Sequence, residues 1–168
     1  CKISVTDAAG NTSDALTVNT FKIDTIAATV SSIKTYDVNK DGKVDKAEIT
    51  FDDKIDDSTF NPSQFTIGGV AADGFSSGAT PNDGVIEISL SAGVDGTEAK
   101  TVVYTAGSAT DLAGNAIASF SQLSTDLAGP VMLSAITKSI TTIETTWSED
   151  LDGTTVNSDG GEFTVAGY

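Results

Sequence analysis

Histidine and arginine are absent from this 168-residue chain, and cysteine and proline are scarce, at one Cys and three Pro. Without His, the chain lacks the side chain best suited to proton transfer near neutral pH and the commonest transition-metal ligand. No base is paired with Cys1, the one thiol. Paired carboxylates could serve a glycosidase, but no pattern marks a cleft for them. The expectation is therefore no enzyme. Nine Lys and no Arg give no basic cluster for a phosphate backbone, so nucleic acid is not an expected partner. A single Cys excludes an internal disulfide. Cys1 reads as a buried or incidental thiol, with an intermolecular disulfide or a lipidated N-terminal Cys as alternatives. There is no run of about eighteen apolar residues and no signal-peptide pattern, so no membrane span is expected in this segment. The chain opens inside an expected strand at residues 2–6, which reads as a mature or fragmentary product of a longer precursor.

The formal net charge is -15, and an acidic surface attracts divalent cations. Hydrophobic residues make up 39%, enough for a packed core. Ser and Thr are abundant and Gly numbers 16, a mix that suits short strands and many turns and not long helices. Alternating apolar and β-branched residues predict strands at 2–6, 16–23, 29–35, 48–52, 64–67, 85–90, 101–105, 117–123, 131–136, 142–147 and 163–165. Asp73-Gly74, Pro81-Asn82-Asp83-Gly84, Asp95-Gly96, Asp152-Gly153 and Asp159-Gly160-Gly161 mark turns. Ile26, Val30 and Ile33 also fit a helical spacing, but the Thr, Val and Ser around them favour a strand. About seven strands per hundred residues predict an all-β fold, an immunoglobulin-like β-sandwich without the Cys–Trp–Cys core of antibody domains.

The chain repeats itself. Val5-Thr6-Asp7-Ala8-Ala9-Gly10-Asn11 returns as Ala109-Thr110-Asp111-Leu112-Ala113-Gly114-Asn115. Ile49-Thr50-Phe51-Asp52 lines up with Thr145-Thr146-Trp147-Ser148, and Gln64-Phe65-Thr66-Ile67 with Glu162-Phe163-Thr164-Val165. The pattern predicts one complete module at 27–126, the last strands of a preceding module at 1–26 and the first strands of a following one at 127–168. Phe51, Phe65, Trp147 and Phe163 take equivalent places and read as core. Asp24 and Asp126 lie 102 positions apart, whereas Phe51 and Trp147 lie 96 apart. The complete module thus carries six more residues between its first two strands than its successor (102 − 96).

That extra length coincides with a loop of cation-binding pattern, Asp37-Val38-Asn39-Lys40-Asp41-Gly42-Lys43-Val44-Asp45-Lys46-Ala47-Glu48. Calcium takes about six to eight hard oxygen donors, and a twelve-residue loop supplies them from positions 1, 3, 5, 7, 9 and 12 with Gly at 6. Asp37, Asn39 and Asp41 fill the first three places, and Gly42 gives the turn. Lys43 offers its backbone carbonyl, Asp45 binds directly or through water, and Glu48 closes the cage in a bidentate manner. Lys40, Lys43 and Lys46 dilute the charge, which points to an affinity on the order of 10⁻⁴–10⁻³ M. Magnesium, which demands a tight octahedron, fits less well. A calcium sensor would need flanking helices, but Glu48-Ile49-Thr50-Phe51 reads as a strand. The expected cofactor is Ca²⁺ in a structural clamp.

The Asp-x-Ala-Gly-Asn turn followed by a strand ending in Ile23-Asp24-Thr25, or its variant Ser124-Thr125-Asp126, resembles the bacterial Ig-like repeats of large adhesins and surface-layer proteins. Val102-Val103-Tyr104-Thr105 before Asp111-Leu112-Ala113-Gly114-Asn115, and Thr50-Phe51-Asp52-Asp53, are similar to the same group. Thr25-Ile26-Ala27-Ala28 departs from it by lacking the Pro common at module starts, which Pro130 keeps. The resemblance spans nearly the whole chain and implies a secreted tandem-repeat protein of the cell surface. It would serve as a stalk, surface layer or filament element, with adhesion as a further role. Its expected partners are neighbouring modules, further copies or cell-surface contacts. In such repeats Asp7, Asp24, Asp111 and Asp126 near module ends would be candidate interdomain metal ligands. Turn capping is the competing reading of these four residues. Asp52, Asp53, Asp56 and Asp57 form a further acidic group, read as a solvated strand end. The alternative function is a spacer or carbohydrate-binding module of a secreted hydrolase. If the ends are natural, residues 130–168 of one copy would complement residues 1–24 of the next; a truncated longer chain is the competing reading.

Overall fold

The computed structural model describes residues 2–19 and 23–155. The fold is all-β, with two sheets packed face to face between residues 30 and 126. The first sheet has the order β11-β3-β4-β8-β7, from Thr125–Asp126, Val30–Tyr36, Lys43–Phe51, Val85–Asp95 and Gly74–Ser76. The second has the order β10-β9-β5-β6, from Phe120–Leu123, Thr101–Tyr104, Phe65–Ile67 and Val70–Ala71. All pairings are antiparallel except β11 on β3, which is parallel and joins the end of the sandwich to its first strand. Two ribbons flank this body: β1 and β2 (Lys2–Ile3, Leu16–Thr17), and the hairpin of β12 and β13 (Met132–Ser139, Thr142–Trp147).

Period-two alternation builds the core. Ile86, Ile88 and Leu90 of β8 and Ala47, Ile49 and Phe51 of β4 turn inward, while Glu87 and Glu48 between them face out. Phe65, Ile67, Val102 and Tyr104 oppose them from the second sheet. Phe60 fills the centre, its ring 5.9 Å from Phe51, 6.1 Å from Phe65 and 6.0 Å from Phe75. The buried Tyr104 hydroxyl accepts from the Gly107 and Ala109 amides at 3.0 and 3.3 Å, so its polar tip is not orphaned.

Most predicted strands are present, and the residues with helical spacing at 30–33 are strand. Three differences matter. β4 begins at Lys43 instead of 48, and β8 runs on to Asp95, because the two pair past the expected ends (Lys43↔Asp95, Val44↔Val94). Between Val44 and Lys46 the register jumps, leaving a bulge in β8 opposite Asp45. β6 and β7 were not expected, since Gly-rich sequence around residues 68–74 masks their short pairing. The predicted strand at 163–165, together with Phe163 and Cys1, lies outside the described residues, as does part of the one at 16–23.

Equivalent sequences make equivalent bonds. In the first turn Asp7 N donates to Asn11 O and Gly10 N to Asp7 O, at 2.9 and 3.0 Å. In the second Asp111 N donates to Asn115 O and Gly114 N to Asp111 O, at 3.0 and 3.1 Å. Gly10 and Gly114 sit at φ +92° and +90°, a region costly for residues with a Cβ. Likewise Thr29 N donates to the Asp52 carboxylate and Asp52 N to Thr29 O, just as Val131 N donates to Ser148 Oγ and Ser148 N to Val131 O.

Candidate metal centre

β3 ends at Tyr36 and β4 starts at Lys43, so residues 37–42 alone form the connecting loop. Its short polar side chains turn back on the loop's own amides, as Asp and Asn do in tight turns. Asp37 Oδ1 accepts from Lys40 N at 2.7 Å and Asp41 N at 3.2 Å, and its Oδ2 accepts from Gly42 N at 2.8 Å. Asn39 Oδ1 accepts from Asp41 N at 3.0 Å, and Asp41 Oδ1 from Lys43 N at 3.1 Å. Asp45 reaches across from β4, its Oδ1 accepting from Val38 N at 3.0 Å. Lys40 and Gly42 have φ of 60° and 88°, the left-handed positions that close the turn.

Asp37, Asn39, Asp41 and Asp45 are thus tied into one loop whose side-chain oxygens suit a hard cation. A carboxylate has about four lone-pair sites, and Asp37 spends three on amides, leaving one on Oδ2. Asp45 spends one, and Asp41 two, the second on Asn39 Nδ2 at 3.1 Å. Lys43 turns its ammonium outward to Asp95 at 3.1 Å, and Lys46 to Glu87 at 2.9 Å. The expected dilution of loop charge by these two lysines is accordingly reduced, since each has a carboxylate partner outside the loop.

Glu48, expected to close the cage, lies on β4 outside the hydrogen bonds that tie the loop together. It faces Lys34 across the ladder, and the two side chains pair at 2.9 Å. A helix after the loop would rise about 1.5 Å per residue and fold position 12 back toward the cage. The strand rises about 3.3 Å per residue and carries Glu48 roughly 10 Å beyond Asp45. Among the described residues, no three Asp, Glu, Cys or His side chains gather closely enough to form a metal-binding group by themselves. Any ion in the loop would draw on Asp37, Asp41 and Asp45 together with the Asn39 side chain, the Lys43 carbonyl and water.

The four Asp residues near the predicted module ends are turn caps. Asp7 Oδ1 accepts from Ala9 N and Asn11 N, both at 2.9 Å. Asp111 repeats this with Ala113 N and Asn115 N at 2.9 and 2.8 Å. Burial alone would raise the Asp111 carboxyl, but the Asn115 side chain and the turn amides together hold it below its usual range. Asp24 accepts from Ile26 N at 3.1 Å and Asp126 from Ala128 N at 2.9 Å. They form no common interdomain cage among the described residues. The reason is local, since each carboxylate meets its own backbone amides two to four residues ahead. Asp52 and Asp56 are likewise engaged, with Thr29 and with the amide of Ser58.

Two contacts at the junction with β12–β13 had no sequence signal. Thr97 is fully buried, its hydroxyl 2.7 Å from that of Ser148. Glu149 lies beside Asp126, Glu98 and Thr97. Burial raises its pKa, the Thr97 hydrogen bond lowers it, and the neighbouring carboxylates raise it again, for a net upward shift. Comparison of the chain with protein families, curated proteins and solved structures finds no match.

Proposed function

We propose that this chain is part of a tandem Ig-like bacterial surface protein, a stalk, layer or filament element, clamped by calcium in the loop from Asp37 to Asp45. The observation that carries the reading is the pair of matched hydrogen-bond sets, at Asp7 and Asp111 and at Thr29–Asp52 and Val131–Ser148. A unit whose turns and strand starts recur along the chain serves to build length. The metal loop lies in the hairpin that is six residues longer than its β12–β13 counterpart, with a connection of six residues (37–42) against two (140–141), so it reads as an addition to the repeat. Phe51 and Phe65, with Phe60 and Tyr104, are buried and so have no role as a sugar-stacking strip, which weighs against the carbohydrate-binding alternative, while Trp147, also expected in the core, is half-buried on β13.

Calcium's contribution is to neutralise Asp37, Asp41 and Asp45 and hold the β3–β4 connection. Binding to the folded form stabilises it by RT ln(1 + [Ca]/Kd), about 1.4 kcal/mol at ten times Kd. For a domain of this size that raises the unfolding midpoint by roughly 6–10 °C. Thermal unfolding in calcium and in chelator measures the shift directly. An unchanged midpoint at saturating calcium would sink the clamp.

A further inference from the structure

We propose that the metal loop is also the bearing for the hairpin β12–β13, so that calcium in the loop fixes how this hairpin is oriented on the sandwich. The inference rests on the calcium reading above. It starts from Gly42, which is buried although it belongs to a connecting loop, as its last residue before β4. The hairpin covers it. A Cβ placed on Gly42 would fall 2.7 Å from Leu133 Cδ2, 3.3 Å from Ser148 Cβ and 3.8 Å from Val131 Cβ. Only the bare glycine backbone lets the hairpin come so close.

Gly42 is tied in both directions. Its amide donates to Asp37 Oδ2, the carboxylate that opens the ion-binding pattern. Its carbonyl accepts from Gly96 N at 3.1 Å, next to Thr97, whose hydroxyl bonds Ser148. An ion held by Asp37 therefore sets the position of the residue on which Leu133 and Ser148 rest. The rest of the seam mixes attraction with repulsion, for Thr97 also bonds Glu149. Glu149 faces the like charges of Asp126 and Glu98 across it. Leu133 itself remains 52% exposed, so the apolar contact is narrow. Without the ion, Asp37, Asp41 and Asp45 repel one another in the loop beneath this contact, and the bearing loosens.

The test places nitroxide labels on Thr101→Cys in β9 and Thr137→Cys in β12, in the full chain carrying Cys1→Ser. Pulsed electron-resonance distances are recorded with calcium and with chelator, and calcium binding is titrated calorimetrically on the same protein. The expected result is a narrow distance distribution with calcium that broadens in chelator. The double variant Leu133→Ala/Thr97→Val removes the contact without touching the loop. It should still bind calcium, with an affinity lowered only by the coupling this contact carries because the two effects are reciprocal, yet lose the narrowing. Calcium binding without narrowing overturns the bearing and leaves the clamp standing. Narrowing retained in the double variant also overturns it. Absence of calcium binding in the labelled chain overturns the clamp and the bearing together.

Discussion

At the scale of single residues, the decisive feature is how each carboxylate is spent. Asp37 and Asp45 hold backbone amides of the loop, whereas Glu48 holds Lys34 on the neighbouring strand. Glu48→Gln should therefore change calcium affinity by no more than about fivefold, since a partly exposed ion pair contributes about 0–1 kcal/mol. Asp45→Asn should weaken binding more than Glu48→Gln does. Titration calorimetry on the two variants ranks them, and the reverse order would restore Glu48 as a ligand. Glu149 makes a separate prediction through pH. Its folded pKa is raised above its unfolded value, so the folded form binds the extra proton between the two. Its contribution is fully present below the unfolded pKa and is lost as pH rises through the folded one. Asp111 has the opposite sign: its lowered pKa stabilises above the unfolded value, and that is lost as pH falls through the folded one. Unfolding midpoints measured from acid to neutral pH should show Glu149→Gln losing the decline assigned to Glu149, while the acid-side loss from Asp111 persists.

At the scale of elements, the β3–β4 and β12–β13 hairpins share matched bonds at their outer ends and differ in their connections, six residues (37–42) against two (140–141). The strands do not need the loop, because Ile33, Ala47, Ile49 and Phe51 fix their register by burial. Replacing the β3–β4 connection by the shorter Ser139–Thr142 connection should leave the sandwich folded. It should also remove every calcium dependence of the midpoint. Circular dichroism with thermal melts in calcium and in chelator checks both halves, and an unfolded product would assign the loop a role in folding. The sequence made the hairpin legible through the 102 and 96 spacings. It did not reveal where β4 starts, since Lys43 to Asp45 carry the loop pattern and the strand pairing at once, and only the partner β8 decides between them.

At the scale of the whole molecule, charge and exposed apolar surface are unevenly used. With a formal charge of -15, self-repulsion opposes the compact state and is screened over about 10 Å by 0.1 M salt. Sodium chloride should therefore raise the melting temperature modestly. On the proposed clamp, calcium at matched ionic strength should raise it further, through site binding to the loop donors. Equal shifts in the two salts would reduce the calcium effect to screening. Large exposed apolar side chains lie mostly outside the sandwich, at Ile3, Val5, Leu16, Ile23 and Ile26 on one side and Leu127, Met132, Leu133, Ile136, Ile140 and Ile143 on the other.

What the sequence determined alone is what depends on neighbours along the chain. Strand alternation in Val85–Leu90, the glycine turns at Asp7–Asn11 and Asp111–Asn115, and the oxygen-rich loop after Tyr36 all follow from local preferences over a few residues. Tertiary structure decided what depends on which strand lies beside which. It spent Glu48 on Lys34, bulged β8 opposite Asp45, and buried Gly42 under Leu133 and Ser148. Those partners stand from 14 residues to about a hundred away in sequence. Their meeting is set by burial and sheet register, and no spacing within the loop encodes it.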